Sequence, residues 1–345
     1  MKLTPTGKQA WLRAALRVVV ACVVLSALPV LALAYLATAP GESFVGAPAP
    51  LDELGVDVAR RLKETVDKLA TEIGPRHVHR ASALEAAATH IEGELTGYGY
   101  EVTRRPFEVD GHTVANLEAR KLGSTSPEEV VVVGAHYDTV PGTPGADDNA
   151  SGVAAMLEIA RVLADAKLER SVWFVAFVNE EPPFFQAEGM GSHVYAHELA
   201  RDGVHVVAMF SLETMGCFDS APGSQTYIPP LDLLYPDRGN FIAFIGNLHS
   251  RTLLNDAVGS FREHAQFPSE ALSAPEALYA VSFSDHWSFW QVGYPAIMVT
   301  DTAFLRNHNY HKPQDTAEKL DYESFARVVQ GLSLTIADIA SGAKR

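Results

Sequence analysis

Imidazole and carboxylate, the two side chains that most readily hold divalent cations, recur in this chain wherever an apolar run stops. Val130 to Val133 leads through Gly134 and Ala135 into His136; a Pro/Gly loop follows, and Asp147-Asp148-Asn149 then opens a helical pattern. Ser171 to Val178 stops at Asn179-Glu180-Glu181, Val204 to Leu212 stops at Glu213, and the polar loop from Asn307 to Thr316 carries His308 and His311. A lone acid of this kind is a solvated loop residue, and either aspartate reads as well as a helix N-cap. Several acids on one rim repel one another unless protons or cations neutralise them, so a metal is the economical explanation. Imidazoles mixed with carboxylates suit zinc, whereas carboxylates alone would suit magnesium or calcium. Two ions need one shared ligand, which a carboxylate can be and an imidazole cannot. The chemistry open to such a site is hydrolysis, in which the metal acidifies water and a nearby carboxylate takes its proton.

The same stretches name the elements that must position these residues. Four successive valines have the composition of a strand buried on both faces, as in a parallel sheet covered by helices, and Ser171 to Val178 and Val204 to Leu212 repeat it. Open α/β sheets bind ligands beyond the carboxyl ends of their strands, where His136, Glu180, Glu181 and Glu213 fall. Helical spacing appears from Leu54 to Ile73, stopped by Gly74-Pro75, from Ala150 to Leu163, near Ser250 to Glu263, and in a closing face from Phe325 to Ile339. Ser82 with Glu85 has the pattern of a capping box for one more helix. Shorter strands are expected at Tyr100 to Val109, Val114 to Lys121, Asn240 to Ile245 and Ala296 to Thr300. Gly216 to Gly239 has no period, and a loop that long carries function or moves. The expectation is α/β: a mixed, mostly parallel sheet flanked by helices, with no internal repeat.

The N-terminus stands apart. Residues 1–17 carry Lys2, Lys8, Arg13 and Arg17 and no acid, and Val18 to Ala39 then run 22 residues without a charge. That length spans a bilayer, and the basic flank places residues 1–17 in the cytoplasm, 18–39 in the membrane, a Pro/Gly/Ala linker at 40–50 and the domain at 51–345 outside the cytoplasm. The competing reading is a cleaved signal segment, on the small-x-small pattern of Ala32-Leu33-Ala34, which would leave the domain secreted. Since the four charges before residue 41 are all basic, the remainder holds 23 of the 27 basic residues and all 42 acidic ones, a net charge of −19. So acidic a surface argues against nucleic acid as a partner. Cys22 lies in the apolar segment and Cys217 is alone, so no disulfide staples the domain. Nothing in the pattern specifies an oligomeric state.

In order along the chain, GAHYDT, PGADDNASG, NEE, SLE and YHKPQDT resemble the motifs of the zinc aminopeptidases of the bacterial leucyl aminopeptidase type, relatives of glutaminyl cyclase, glutamate carboxypeptidase and the transferrin receptor. The resemblance covers residues 55 to 342. It implies a zinc exopeptidase fold with two Zn2+: Asp148 bridges both, His136 and Glu213 complete one, and Glu181 and His311 complete the other. It also implies that Glu180 is the general base, that Tyr310 donates to the developing oxyanion, and that a peptide or small aminoacyl substrate is held by its free α-amine. Alignment of the motif favours Asp148 over Asp147. Ser284-Asp285-His286 is a further family signature, read as groups that orient ligands or shape the pocket, since no G-x-S-x-G elbow exists for a triad. Cys217 reads as a small buried hydrophobe, the other histidines as surface or core residues, and the sequon Asn149-Ala150-Ser151 as coincidental.

Two departures from the family pattern matter. Glu213 is one methylene longer than the Asp common at its place, which changes its reach. The stretch PPFFQAEGMGSHVYA replaces a small Gly-rich segment after the base, so Pro182-Pro183-Phe184-Phe185 would reshape the pocket. The function implied is a membrane-tethered di-zinc aminopeptidase. Its alternatives are cyclisation of N-terminal glutamine on one zinc and an inactive, receptor-like binding protein; that last branch has lost ligands, whereas every ligand position is filled here.

Overall fold

Val130 to Val133 are at most 2% exposed because both faces of their strand are covered, as four successive β-branched residues require. That strand, β3 (Ser126–His136), lies inside an eight-stranded sheet in this computed structural model, which describes residues 7–278 and 280–342. The others are β1 (Val102–Val109), β2 (His112–Lys121), β4 (Arg170–Phe177), β5 (His205–Glu213), β6 (Ile242–Gly246), β7 (Ser269–Ser273) and β8 (Ala296–Thr300), in the order β1-β2-β4-β3-β5-β8-β6-β7. The central strands β4, β3, β5 and β8 run parallel. Antiparallel pairing joins β2 to β4 on one side and β6 to β8 on the other, so the sheet is mixed with a parallel centre.

The helices of the domain are α2 (Glu53–Val66), α3 (Ala81–Gly97), α4 (Gly152–Leu163), α5 (Gly191–Arg201), α6 (Arg251–His264), α7 (His286–Gln291), α8 (Ala303–Arg306) and α9 (Tyr322–Ala340), after α1 (Lys8–Ala37) at the N-terminus. Alternation along the strands divides them between two faces. Val131, Val133, Phe210, Leu212, Ile297 and Val299 share one apolar core with α2, α3, α4, α6 and α9. The opposite face carries Ser211 and Met298 and is covered by α5 and α7.

Several expectations shift. The first helix of the domain continues past α2 as a wider turn, Asp67–Ile73, and stops at Gly74, whose φ of 76° no branched residue tolerates easily. The capping box does not form: a 3-10 turn at Val78–Arg80 feeds α3 directly, Ser82 falls inside its first turn, and the Glu85 carboxylate meets Arg104 at 2.7 Å instead. Strand β7 was not anticipated, because Ser-Glu-Ala-Leu-Ser holds no β-branched residue. Helix α5 lies in the segment that departs from the family. The expected free linker is tied down, since Arg262 donates to the carbonyls of Pro40 (3.0 Å) and Gly41 (2.9 Å) and the Ser43 hydroxyl accepts from Ser269 N (2.9 Å).

The chain divides into Met1–Thr38 and Ala39–Arg345. Residues 1–6 of the expected basic N-terminus lie outside the described residues, as do the side chains at 23, 26, 28–30 and 33 within the expected span. Among the described residues no helix is long and apolar enough to cross a membrane.

Candidate active site

His136 ends β3 and Glu213 ends β5, so two neighbouring parallel strands deliver them to one rim. Asp148 sits in the turn Ala146–Ser151 that enters α4, Glu181 in the turn after β4, and His311 in the loop between α8 and α9. His136 Nε2 lies 3.3 Å from Asp148 Oδ1 and 3.3 Å from Glu213 Oε2. His311 Nε2 lies 3.0 Å from Asp148 Oδ2 and 3.3 Å from Glu181 Oε2. One carboxylate therefore faces both imidazoles, one oxygen each. His136, Asp148 and Glu213 form one group able to hold an ion, and Asp148, Glu181 and His311 form a second.

The neighbouring Asp147 is spent elsewhere: its Oδ1 accepts from Gly216 N (3.0 Å) and its Oδ2 from the Asn307 amide (2.9 Å). Neither aspartate caps α4. Asn149 does, accepting from Gly152 N at 3.0 Å and from Thr214 N at 3.1 Å while donating to Leu212 O at 2.9 Å. A Cβ on Gly152 would stand 2.3 Å from that same carbonyl. With Asn149 wholly buried and both its amide ends bonded, the sequon is closed to glycosylation.

Strand alternation does not set the two glutamates apart. β4 stops at Phe177, Asn179 takes a φ of 61°, and Asp138 holds the turn by accepting from Glu180 N (3.0 Å) and Glu181 N (3.3 Å). Glu181 then faces His311, and Glu180 lies 3.8 Å from His136 Nε2. Glu213 reaches His136 despite its extra methylene because the Ser284 hydroxyl donates to its Oε2 at 2.7 Å.

Electrostatics shows what the cluster lacks. Burial, with Asp148 beside it, pushes Glu181 up to about 8; burial pushes Asp285 up to about 7 and Asp315 up to about 8. Burial lifts Glu180 well above the carboxylate range, with Glu181, Glu213 and Asp285 adding to it. Burial works against ionisation of Asp148 too, but His136 and His311 overcome it and hold it below the usual range. Burial opposes charge on His311, yet Asp148 and Glu181 raise it to about 10. Protons are thus retained where positive charge is missing. His136 Nε2, Asp148 Oδ2 and Glu181 Oε1 are buried with no hydrogen-bond partner among the described residues, and all three residues belong to the two groups able to hold an ion. A mixed imidazole and carboxylate set of this kind fits zinc.

A model of peptidase family M28 matches residues 116–336. The chain belongs to peptidase family M28. It is 38% identical over 281 residues to uncharacterized protein YfbL of Escherichia coli (strain K12), across 79% of this chain and 85% of that one. It is 25% identical over 259 residues to aminopeptidase YwaD of Bacillus subtilis (strain 168), across 74% of this chain and half of that one. Among solved structures, BSAP, a zinc aminopeptidase from Bacillus subtilis, superposes with a TM-score of 0.65 at 16% identity, covering 83% of this chain and 96% of that one. Fimbriiglobus ruber glutaminyl cyclase gives 0.59 at 20% identity, covering 87% and 99%. At such identities the solved structures share the fold. Family membership makes this protein a zinc metallopeptidase.

Other residues of this M28 peptidase take part that motif reading did not single out. Asp315 accepts from the backbone N–H of Asp147 (3.0 Å) and Asp148 (3.1 Å), fixing the turn from the far end of the chain. Arg76 is wholly buried and donates to the carbonyls of Tyr137 (2.7 Å), Pro144 (2.7 Å) and Gly145 (2.9 Å), tying the end of β3 to the Asp148 turn. Burial lowers it to about 10, so it stays charged at neutral pH. Asp138 and Asp315 lie inside GAHYDT and YHKPQDT, which is the one sequence signal that could have found them.

The remaining expected residues are placed as follows. The Tyr310 ring stacks on His311 at 3.9 Å. Asp285 is buried on the Glu180 side, and His286 Nε2 meets Val281 O at 2.9 Å. His308 is exposed, and Cys217 is half-buried with a thiol held neutral by burial and by Asp301. Phe185 packs edge-on against Phe283, and Phe283 against Phe304, so the PPFF departure is tied to the start of α8.

Proposed function

We propose that the protein is a dinuclear zinc aminopeptidase that removes single residues from peptide N-termini. The observation that carries this reading is Asp148, whose two oxygens face two separate imidazole and glutamate sets. His136, Asp148 and Glu213 would hold one ion, and Asp148, Glu181 and His311 the other. Zinc, when bound, supplies Lewis acidity that polarises a carbonyl and acidifies water. Glu180 lies beside that group with no ligand role assigned to it, and its raised pKa suits a base that takes a proton from the attacking water and returns it to the leaving amine. The Tyr310 hydroxyl, whose pKa is driven far up by burial and by Asp148 and Glu181, stays protonated and serves as the donor to the oxyanion. Two filled donor sets argue against the one-zinc cyclase and the receptor-like readings.

An unblocked peptide incubated with the zinc-loaded protein should shorten one residue at a time while its N-acetylated counterpart stays intact. Internal cleavage of the acetylated peptide would overturn the exopeptidase reading, and pyroglutamate from glutaminyl peptides would favour the cyclase. The same proposal keeps residues 18–39, uncharged behind a basic flank and with six side chains outside the described residues, as a membrane anchor with the domain extracytoplasmic. Recovery of the full chain in the soluble fraction, uncleaved, would refute that part.

A further inference from the structure

Beside the metal-ligand rim lies a cavity of about 70 Å³ that no step above uses, walled by Tyr227, Tyr235, Phe241, Met298 and Phe304 among others. That volume takes several water-sized atoms. Its roof is the long aperiodic loop between Gly216 and Gly239, which supplies Tyr227, Ile228, Leu231 and Tyr235. Its floor is the sheet, and the register fixes where. Glu213 of β5 pairs with Thr300 of β8, Thr300 with Ala243 of β6, and Ala243 with Glu270 of β7. Paired residues on neighbouring strands point to the same face, so Glu213, Thr300, Ala243 and Glu270 form one row across it. Thr300, Ala243 and Glu270 all line the cavity, and the next row, Met298, Ile245 and Leu272, lines it too. The cavity therefore begins one strand away from the ligand Glu213, at Thr300. The segment ending at Ser284, which holds Glu213, lends it Ala280 and Val281 as a second connection.

Glu270 is the only charged residue among the described residues that line this apolar space. Among the described residues no hydrogen bond or ion pair reaches its carboxylate; Arg262, the nearest cation acting on it, spends its guanidinium on Ser269 and on the carbonyls of residues 39–41. Burial raises the Glu270 pKa, as expected for an acid that lacks a partner. Three strand spacings put the Glu213 and Glu270 backbones roughly 14 Å apart.

We infer that this cavity receives the side chain of the N-terminal residue being removed, and that Glu270 makes it select a long apolar stem with a cationic tip, the chemistry of lysine and arginine. The inference rests on the aminopeptidase reading and adds the substrate class to it. The aromatic walls take the methylene stem, the carboxylate pairs with the ammonium or guanidinium, and the strongly acidic domain draws basic peptides toward the mouth.

The test uses the full chain loaded with zinc and the p-nitroanilides of arginine, lysine, methionine, leucine and glutamate. Arginine and lysine should exceed methionine and leucine in kcat/KM, with glutamate lowest. In Glu270→Gln the arginine-to-methionine ratio should fall by about tenfold or more, with zinc content and Tm retained. A ratio unchanged in that variant, or a wild-type preference for leucine, overturns the role of Glu270 while leaving the aminopeptidase intact. Cleavage of none of the five removes the aminopeptidase reading and this inference with it. Should Glu270→Gln fail to fold, competitive inhibition of the wild type decides: L-argininamide should bind more tightly than L-norleucinamide, and equal binding refutes the proposal.

Discussion

The two halves of the candidate metal site are built differently. His136 and Glu213 end neighbouring strands, and His136 is wholly buried. Glu181 and His311 stand on loops, and the His311 side chain is 34% exposed, on backbone with a φ of 58°, braced mainly by the stacked Tyr310 ring. Strand ends inherit the rigidity of the sheet, whereas loops must be ordered before they can bind. The strand-built half is accordingly expected to hold its ion more tightly, and the loop-built half to be the one that exchanges. Asp148 belongs to both and makes them interdependent.

The largest effect should come from the shared residue. Asp148→Asn should release both ions and lower kcat/KM by at least about 10⁴-fold, measured on an aminoacyl nitroanilide; retention of one tightly held zinc would mean that Asp148 does not bridge. Next, Glu180→Gln separates binding from chemistry. Its zinc content should match the wild type while kcat drops about 10²- to 10⁴-fold, and unimpaired turnover would remove Glu180 from the role of base. His311→Ala should cost about 10²- to 10³-fold in kcat while leaving the other ion in place, which chelator titration would reveal as a single slow phase.

Smaller effects probe the supports. Arg76→Met leaves several buried carbonyls unpaired, and denaturant unfolding of the metal-free protein should report a loss of about 3 to 5 kcal/mol; a change under 1 kcal/mol would show that the Asp148 turn does not depend on it. Ser284→Ala frees one oxygen of Glu213 and should weaken zinc binding in the strand-built half by only about tenfold, with the loop-built half unaffected.

The strand-built half was also the more legible in the sequence. Val130 to Val133 and Val204 to Leu212 announce buried strands by composition, and a residue at the end of such a run has one place to be. In the loop-built half Glu181 follows the apolar run Ser171 to Val178, whereas His311 stands in a polar loop that no period announces. What positions both was hidden, because Asp138, Asp315 and Arg76 act through backbone N–H and carbonyl groups rather than through a pattern. The Asp315 contacts cross more than 160 residues of chain, and no local rule spans that. The misread capping box and the missed strand β7 have the same origin: tertiary partners, Arg104 for Glu85 and β6 for β7, decided what local propensity left open. The register that places Glu270 in one row with Glu213, three strands away, could not be read at all until β7 was seen to pair.

The central claim is that one aspartate serves two ions of unequal tenure, and zinc content per chain tests it most directly. Metal analysis of the saturated, dialysed protein should give two zinc ions per wild-type chain and one per His311→Ala chain. One zinc in the wild type, or the same count in both proteins, would contradict it.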